Sequence, residues 1–141
     1  QRLDKELRFY DLEILENKKK ALVERIKTLI IDMLHSSDTT DNMRFSEYVS
    51  KILHYDYTYL SNIYSEMENS TIERFYIEQR IERAKELMIY EGMNVSEIAY
   101  ALNFSSVSHF CLQFKKVSGQ KPASFKKACE SPEFIWRKLN I

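Results

Sequence analysis

Phe45-Ser-Glu-Tyr-Val-Ser-Lys-Ile52 and Val95-Ser-Glu-Ile-Ala-Tyr-Ala-Leu102 are two versions of one segment, fifty positions apart. The correspondence continues outward: Leu60, Tyr64, Met67 and Phe75 stand opposite Phe110, Phe114, Val117 and Phe125. Identity survives only at Ser46/Ser96, Glu47/Glu97 and Phe75/Phe125, but apolar character survives at Phe45/Val95, Tyr48/Ile98, Val49/Ala99, Ile52/Leu102 and the three remaining outward pairs, and a shared core pattern is what a repeated fold requires. The chain therefore carries two copies of a helix-turn-helix-sized unit. Two similar readers on one connector suit a partner that is itself a repeating polymer, and DNA is the first candidate.

Composition narrows the fold class. With 141 residues and 44% hydrophobic content the chain can bury a real core, and the repeat favours two small lobes over one globule. Two glycines and two prolines leave little turn chemistry for sheets, so the expected class is all-α: two helix-turn-helix subdomains joined by a long connector helix. No apolar run approaches the roughly 20 residues that span a bilayer, and the amino end lacks the shape of a secretion signal, so a cytoplasmic protein with no membrane partner is expected. Cys111 and Cys129 show no C-x-x-C spacing and read as reduced, partly buried thiols.

The formal charge is zero, although phosphate neutralisation supplies much of the affinity of a nucleic-acid binder. The average hides a gradient. Residues 43–70 carry two basic and four acidic groups, whereas 71–129 carry nine basic and six acidic. Only the second repeat with its connector has the sign that DNA prefers.

Helix signals place the boundaries. Gln1 is not an initiator, so residues 1–17 read as the trailing segment of a missing N-terminal region, with no firm structure assigned. Residues 18–42 read as a helix, N-capped by Asn17 and running to about His35, followed by a polar loop over Ser37–Asn42; Leu22, Ile26, Leu29 and Met33 share one helical face. The Lys18-Lys19-Lys20 run reads as a solvated helix end that could also meet phosphate. The first helix-turn-helix occupies 45–69, its second helix capped by Asp56. Ser70-Thr-Ile-Glu73 resembles a capping box opening a connector helix over 72–90. Ile77, Ile81, Ala84 and Met88 form that helix's buried stripe, Arg74, Arg80, Arg83 and Lys85 decorate it, and Gly92 stops it. Asn94-Val-Ser-Glu97 is a second capping box and starts the second helix-turn-helix, 95–118. Asn103 tolerates the left-handed backbone of its turn, and Gly119 ends it. Pro122 opens a closing helix over 122–129, and Ser131-Pro132 opens a C-terminal helix over 130–141 that Trp136 would anchor.

A helix-turn-helix puts its second helix in the major groove, where short polar side chains near its amino end reach base edges. In the second repeat that helix is Ser106–Ser118. Ser105, Ser106 and Ser108 lie at its start, where backbone N–H groups also favour phosphate, Lys115 and Lys116 come from later turns, and Lys121 from the loop beyond. The spacing equally fits a plain helical hairpin whose serines cap and whose lysines solubilise. The connector, at 1.5 Å rise per residue, spans roughly 28 Å, against about 34 Å for a turn of B-DNA.

From about Phe45 to Lys127 the chain resembles the DNA-binding domain of the AraC/XylS family of transcription regulators. Three stretches carry the resemblance: Arg80-Ile-Glu-Arg-Ala-Lys-Glu-Leu87, Val95-Ser-Glu-Ile-Ala99, and the run Phe104-Ser-Ser-Val-Ser-His-Phe-Cys-Leu-Gln-Phe-Lys-Lys-Val-Ser-Gly-Gln-Lys-Pro-Ala-Ser-Phe125. Asp56-Tyr-Thr-Tyr-Leu-Ser-Asn-Ile-Tyr64 looks like the subgroup of such regulators found in Bacteroidetes. The resemblance implies a bacterial, double-stranded-DNA-binding transcription regulator with two reading helices, 43–129 being the binding domain. It implies Thr58, Ser61, Asn62 and Ser65 as DNA-facing residues of the first helix, and Val107, Ser108, Cys111 and Leu112 of the second. It also implies partnership with a sensing or dimerising region absent from this fragment, and with RNA polymerase. Where many members have arginine, this chain has Asn62 and Leu112, so a bidentate guanine contact is missing at both places.

Other signals have duller readings. His35, His54 and His109 have no i, i+4 ligand partner, so no metal is expected, and His109 reads as a phosphate contact or packing residue. Tyr55, Tyr57, Tyr59 and Tyr64 read as divided between core and backbone hydroxyl contacts. No catalytic cluster or phosphate-binding glycine loop is present, so neither enzyme activity nor a cofactor is expected. Zero net charge, the acidic groups Asp56, Glu66 and Glu68 and the missing arginines keep a second reading open: a protein-interaction module derived from this fold that binds DNA weakly or not at all.

Overall fold

The computed structural model describes residues 2–36, 44–131 and 133. Every regular element among them is an α-helix: α1 (Arg2–His35), α2 (Phe45–Leu53), α3 (Tyr57–Glu68), α4 (Ile72–Tyr90), α5 (Val95–Ala101), α6 (Val107–Ser118) and α7 (Pro122–Cys129). The all-α expectation holds. The expected polar loop over 37–42 and the C-terminal helix with Trp136 lie outside the described residues.

The chain divides into two compact units, Gln1–Tyr76 and Ile77–Ile141. In the first, α1, α2 and α3 pack on one another. Leu22, Val23, Ile26 and Ile30 of α1 meet Val49, Leu53, Leu60, Ile63 and Tyr64, and Ile72 from the start of α4 completes the core. Of the stripe expected on α1, Leu22 and Ile26 are buried, whereas Leu29 and Met33 are half-buried. Phe45 stacks on Tyr76 with ring centroids 4.2 Å apart, closing the core at its edge.

α1 differs from expectation at its start. It begins at Arg2, so Asn17 lies inside the helix and caps nothing. The helix contains neither glycine nor proline and is rich in Leu, Glu, Lys and Arg, all strong helix formers.

In the second unit, Ile81, Ala84, Leu87 and Met88 of α4 gather Ile98 and Ala99 of α5 and Leu102 just beyond it, then Phe104, Phe110 and Phe114. The Asn94 capping box is present in full: Asn94 accepts from the Glu97 N–H at 2.8 Å while Glu97 Oε1 accepts from the Asn94 N–H at 3.3 Å. Asn103 is left-handed at φ 59°.

The connector departs from its expected decoration. Arg80 is buried rather than solvated. Arg83 pairs with Glu86 at 3.0 Å and Lys85 with Glu82 at 3.0 Å, so helical neighbours neutralise both. The capping expected of Ser70 and Glu73 falls to Thr71, whose Oγ1 accepts from the Arg74 N–H at 3.1 Å. Glu73 instead accepts from the Tyr57 hydroxyl at 2.5 Å. Ile77 of the expected buried stripe is only half-buried.

Candidate nucleic-acid interface

The repeat read from sequence is a repeat in three dimensions. α3 and α6 are both twelve residues long, and begin and end fifty positions apart. Each is followed by a left-handed residue, Asn69 at φ 54° and Gly119 at φ 81°, whose N–H bonds back to the carbonyl four residues earlier. Only the starts differ. Ser106 caps α6 by accepting from the His109 N–H at 3.0 Å, whereas Asp56 occupies the cap position of α3 without a side-chain cap bond, correcting that expectation.

Buried aromatics fix which side of α6 faces out. Phe110 and Phe114 are fully buried, four residues apart, and Phe114 packs against Phe125 with centroids 5.6 Å apart. Helical periodicity then throws Ser108, Leu112 and Lys115 to the opposite side, with Lys116 and His109 on one flank and Val107 and Cys111 on the other. Val107, 42% exposed, and Val117, 36% exposed, share the helical spacing of the phenylalanines but lie at the margin of the core. Leu112 is 71% exposed, the largest apolar surface on this outer face. Cys111 is half-buried, and both cysteines are free thiols.

The same logic orders α3. Leu60, Ile63 and Tyr64 are buried, Thr58 and Asn62 are exposed, and Ser61 and Ser65 are half-buried beside them. The expected residues of α3 thus fall on one side of it. Lys121 is exposed at the N-cap position of α7.

Some of the polar groups are already engaged. Ser106 is held by its capping bond, and the Ser105 hydroxyl lies 3.1 Å from His109 Nδ1. The His109 ring stands edge-on to Phe104 at 5.4 Å. His109 therefore packs and hydrogen-bonds within its own unit, while Ser108, Lys115 and Lys116 remain exposed at the surface.

Sequence reasoning missed two features. The first is the tyrosine pair beside α3. Tyr57 and Tyr64 turn inward, but Tyr55 and Tyr59 are exposed and stack on each other at 5.2 Å. They flank Thr58 and Asn62 just as Ser105 and His109 flank Ser108 and Leu112, and the fifty-residue offset carried that signal. The Ser50 hydroxyl donates to the Tyr55 carbonyl at 2.5 Å and fixes the turn. The second is the identity of the partners that hold the acidic end of α3. Glu66 pairs with Lys19 at 3.1 Å and Glu68 with Lys27 at 3.0 Å, both lysines coming from α1. One member of the Lys18–Lys20 run thus answers an acid of the candidate interface. No local spacing could reveal a pairing 47 residues apart.

The Tyr57 phenol is half-buried, and that burial, with the hydrogen bond to Glu73 and the charge of Glu73, holds its pKa well above the ordinary tyrosine range. Among the described residues no three His, Cys, Asp or Glu side chains converge as a metal site would require, and no helix is long and apolar enough to cross a membrane.

Comparison with known proteins adds an independent line. The family model described as a helix-turn-helix domain matches residues 49–128. The Msm operon regulatory protein of Streptococcus mutans is 26% identical over 120 residues, covering 85% of this chain and 41% of that protein. An HTH-type transcriptional regulator in the cgkA 5′ region of Pseudoalteromonas carrageenovora is 33% identical over 91 residues, covering 64% of this chain and 50% of that protein. The chain thus spans half or less of the length of these relatives. Among solved structures, the C-terminal domain of AraT, a response regulator from Geobacillus stearothermophilus, superimposes with a TM-score of 0.63 at 24% identity, covering 76% of this chain and 84% of that one.

Proposed function

Because the chain belongs to the AraC-type helix-turn-helix domain family of DNA-binding transcription regulators, we propose that it binds double-stranded DNA sequence-specifically through two reading helices, α3 and α6. The observation that carries this reading is the matched pair itself. Two helices of equal length, each pinned by buried residues on one face and each presenting an exposed band on the other, are built alike for the same task.

On this reading Ser108, Leu112 and Lys115 enter a major-groove segment, Leu112 and Val107 supply apolar contact to thymine methyls, and Lys115, Lys116 and Lys121 neutralise phosphates. Thr58, Ser61, Asn62 and Ser65 read a second segment by hydrogen bonds. Neither helix offers an arginine fork, so discrimination comes from hydroxyl, amide and methyl contacts and from the shape of the DNA. The Bacteroidetes-type subgroup, a cytoplasmic location and partnership with RNA polymerase or a sensing region belong to the same proposal.

The ion pairs of Glu66 and Glu68 bear on the alternative reading of a protein-interaction module. They neutralise two of the three acids that motivated it, leaving Asp56 at the start of α3 exposed. Selection of bound fragments from random duplex DNA tests the proposal. A recovered motif with two half-sites about 10–10.5 bp apart supports it. Retention with no enriched sequence, or a recovered motif neither half of which changes on substitutions in α3, overturns the two-helix reading.

A further inference from the structure

The fifty-residue repeat singles out one place where the two units are packed differently. In the first unit Phe45 stacks on Tyr76 with ring centroids 4.2 Å apart, and Tyr57 stands edge-on to Phe45 at 6.1 Å, so aromatic rings fill the space between α2 and the beginning of α4. Fifty positions on, Val95, Val107 and Lys126 stand where the first unit has Phe45, Tyr57 and Tyr76. Three rings are replaced by two isopropyl groups and one flexible charged chain. At that place the second unit has a cavity of about 310 Å³, lined by Met88 of α4, Met93 and Val95 around the start of α5, and Pro122, Ala123 and Lys126 around the start of α7. Apolar cavities of about 150 Å³ admit a benzene ring, so this one has room for an indole.

The lining chemistry favours such a ring. Methionine sulfur makes favourable contacts with aromatic edges, and of the aromatic faces tryptophan's holds an ammonium best. The second unit already uses a pair of this kind beside the cavity, Lys85 lying 5.6 Å from the centroid of Phe125. A tryptophan is also within reach. Beyond α7 the backbone turns, the Ser131 N–H donating to the Ala128 carbonyl at 3.2 Å. Trp136, the single tryptophan of the chain, stands five residues beyond Ser131, and Lys126 five residues before it. Five residues cover about 7.5 Å as helix and about 17 Å when extended, and the five helical residues back to Lys126 also cover about 7.5 Å.

We propose that the Trp136 indole docks in this cavity of its own chain, against Met88, Met93 and Lys126, in the place that Phe45 and Tyr76 fill in the first unit. The first unit carries its plugging rings within its own helices. The second receives its ring from the segment that follows α7. Docked there, the indole ties the start of α5 to α7 and so braces the first helix of the second helix-turn-helix. This inference does not rest on DNA binding.

Tryptophan fluorescence of the whole chain tests it, since Trp136 alone supplies the signal. The indole should emit to the blue of the urea-unfolded chain and be quenched by acrylamide several-fold less, equally at low and high protein concentration. Nuclear Overhauser contacts should join its ring to the Met88 and Met93 methyls. Val95→Phe combined with Lys126→Tyr restores two rings of the first unit and should expel the indole, reddening its emission and raising its quenching several-fold. Lys127→Ala, exposed and outside the lining, should leave both unchanged. The quenching and the methionine contacts are read on the unsubstituted chain and decide the matter even if the double variant does not fold. Trp136→Ala should in addition speed hydrogen exchange of the α5 amides at least about tenfold. An indole quenched as in urea, a protected indole without contact to either methionine, contacts made by Phe134 instead, or a folded double variant with the indole still protected overturns the proposal. Protection that appears only at high concentration overturns it too, by assigning the ring to a second copy of the chain.

Discussion

The guanidinium carbon of Arg80 lies 3.5 Å from the centroid of the Phe104 ring. Arg80 belongs to α4 and is buried, while Phe104 sits in the turn that aims α6 and packs on Phe110 at 5.0 Å. A cation over a desolvated aromatic face is worth about 2 kcal/mol, so this contact ties the long helix to the start of the candidate reading helix.

Replacing Arg80 by Ala should therefore cost the second unit about 2 kcal/mol or more, through the lost ring contact and lost packing of the aliphatic stem. Arg80→Lys should also destabilise, because an ammonium cannot lie flat on the ring. Hydrogen exchange of the α6 amides is the measurement: protection should fall there and remain unchanged in α1.

The Tyr57–Glu73 bond gives the first unit an alkaline dependence. Because the Tyr57 pKa is raised on folding, the folded chain holds this proton more tightly than the unfolded chain. The associated stability is complete below the ordinary tyrosine pKa of about 10 and declines as pH rises beyond it. Urea midpoints at pH 8 and 11 should drop further for the parent chain than for Tyr57→Phe. At pH 8 that substitution should itself cost about 1 kcal/mol.

Lys115 and Lys116 are exposed in the last turn of α6. If each neutralises one phosphate, Lys115→Ala and Lys116→Ala should each lower the slope of log affinity against log salt by about one unit. Filter binding across a salt series reads this, and unchanged slopes for both would remove them from the interface.

Lys19 answers Glu66 at the end of α3. Lys19→Met should change stability by less than about 1 kcal/mol, as expected of a surface pair. It should nevertheless weaken DNA binding at low salt, because an unopposed carboxylate then faces the phosphates. Adding Glu66→Gln should restore affinity. Equal affinity of all three proteins would place Glu66 away from the DNA.

What the amino-acid sequence determined by itself is the short-range part of this protein. The fifty-residue repeat, the bounds of α2 to α7 within a residue or two, the Asn94 capping box and the left-handed Asn103 all follow from periodicity, caps and backbone preference, which act over one or two turns. The inward phenylalanines of α6 follow too, and with them the outward placement of Ser108 and Leu112, whereas Val107 and Val117 of the same expected stripe stay exposed and Cys111, expected outward, is half-buried.

Tertiary structure alone decided the rest. It buried Arg80, expected to decorate the outside of the connector, drew Glu73 from a capping role to Tyr57, and set Lys19 and Lys27 against Glu66 and Glu68. Each outcome depends on which distant side chain arrives within a few ångströms. That is settled by packing of whole helices, and helical spacing carries no record of it.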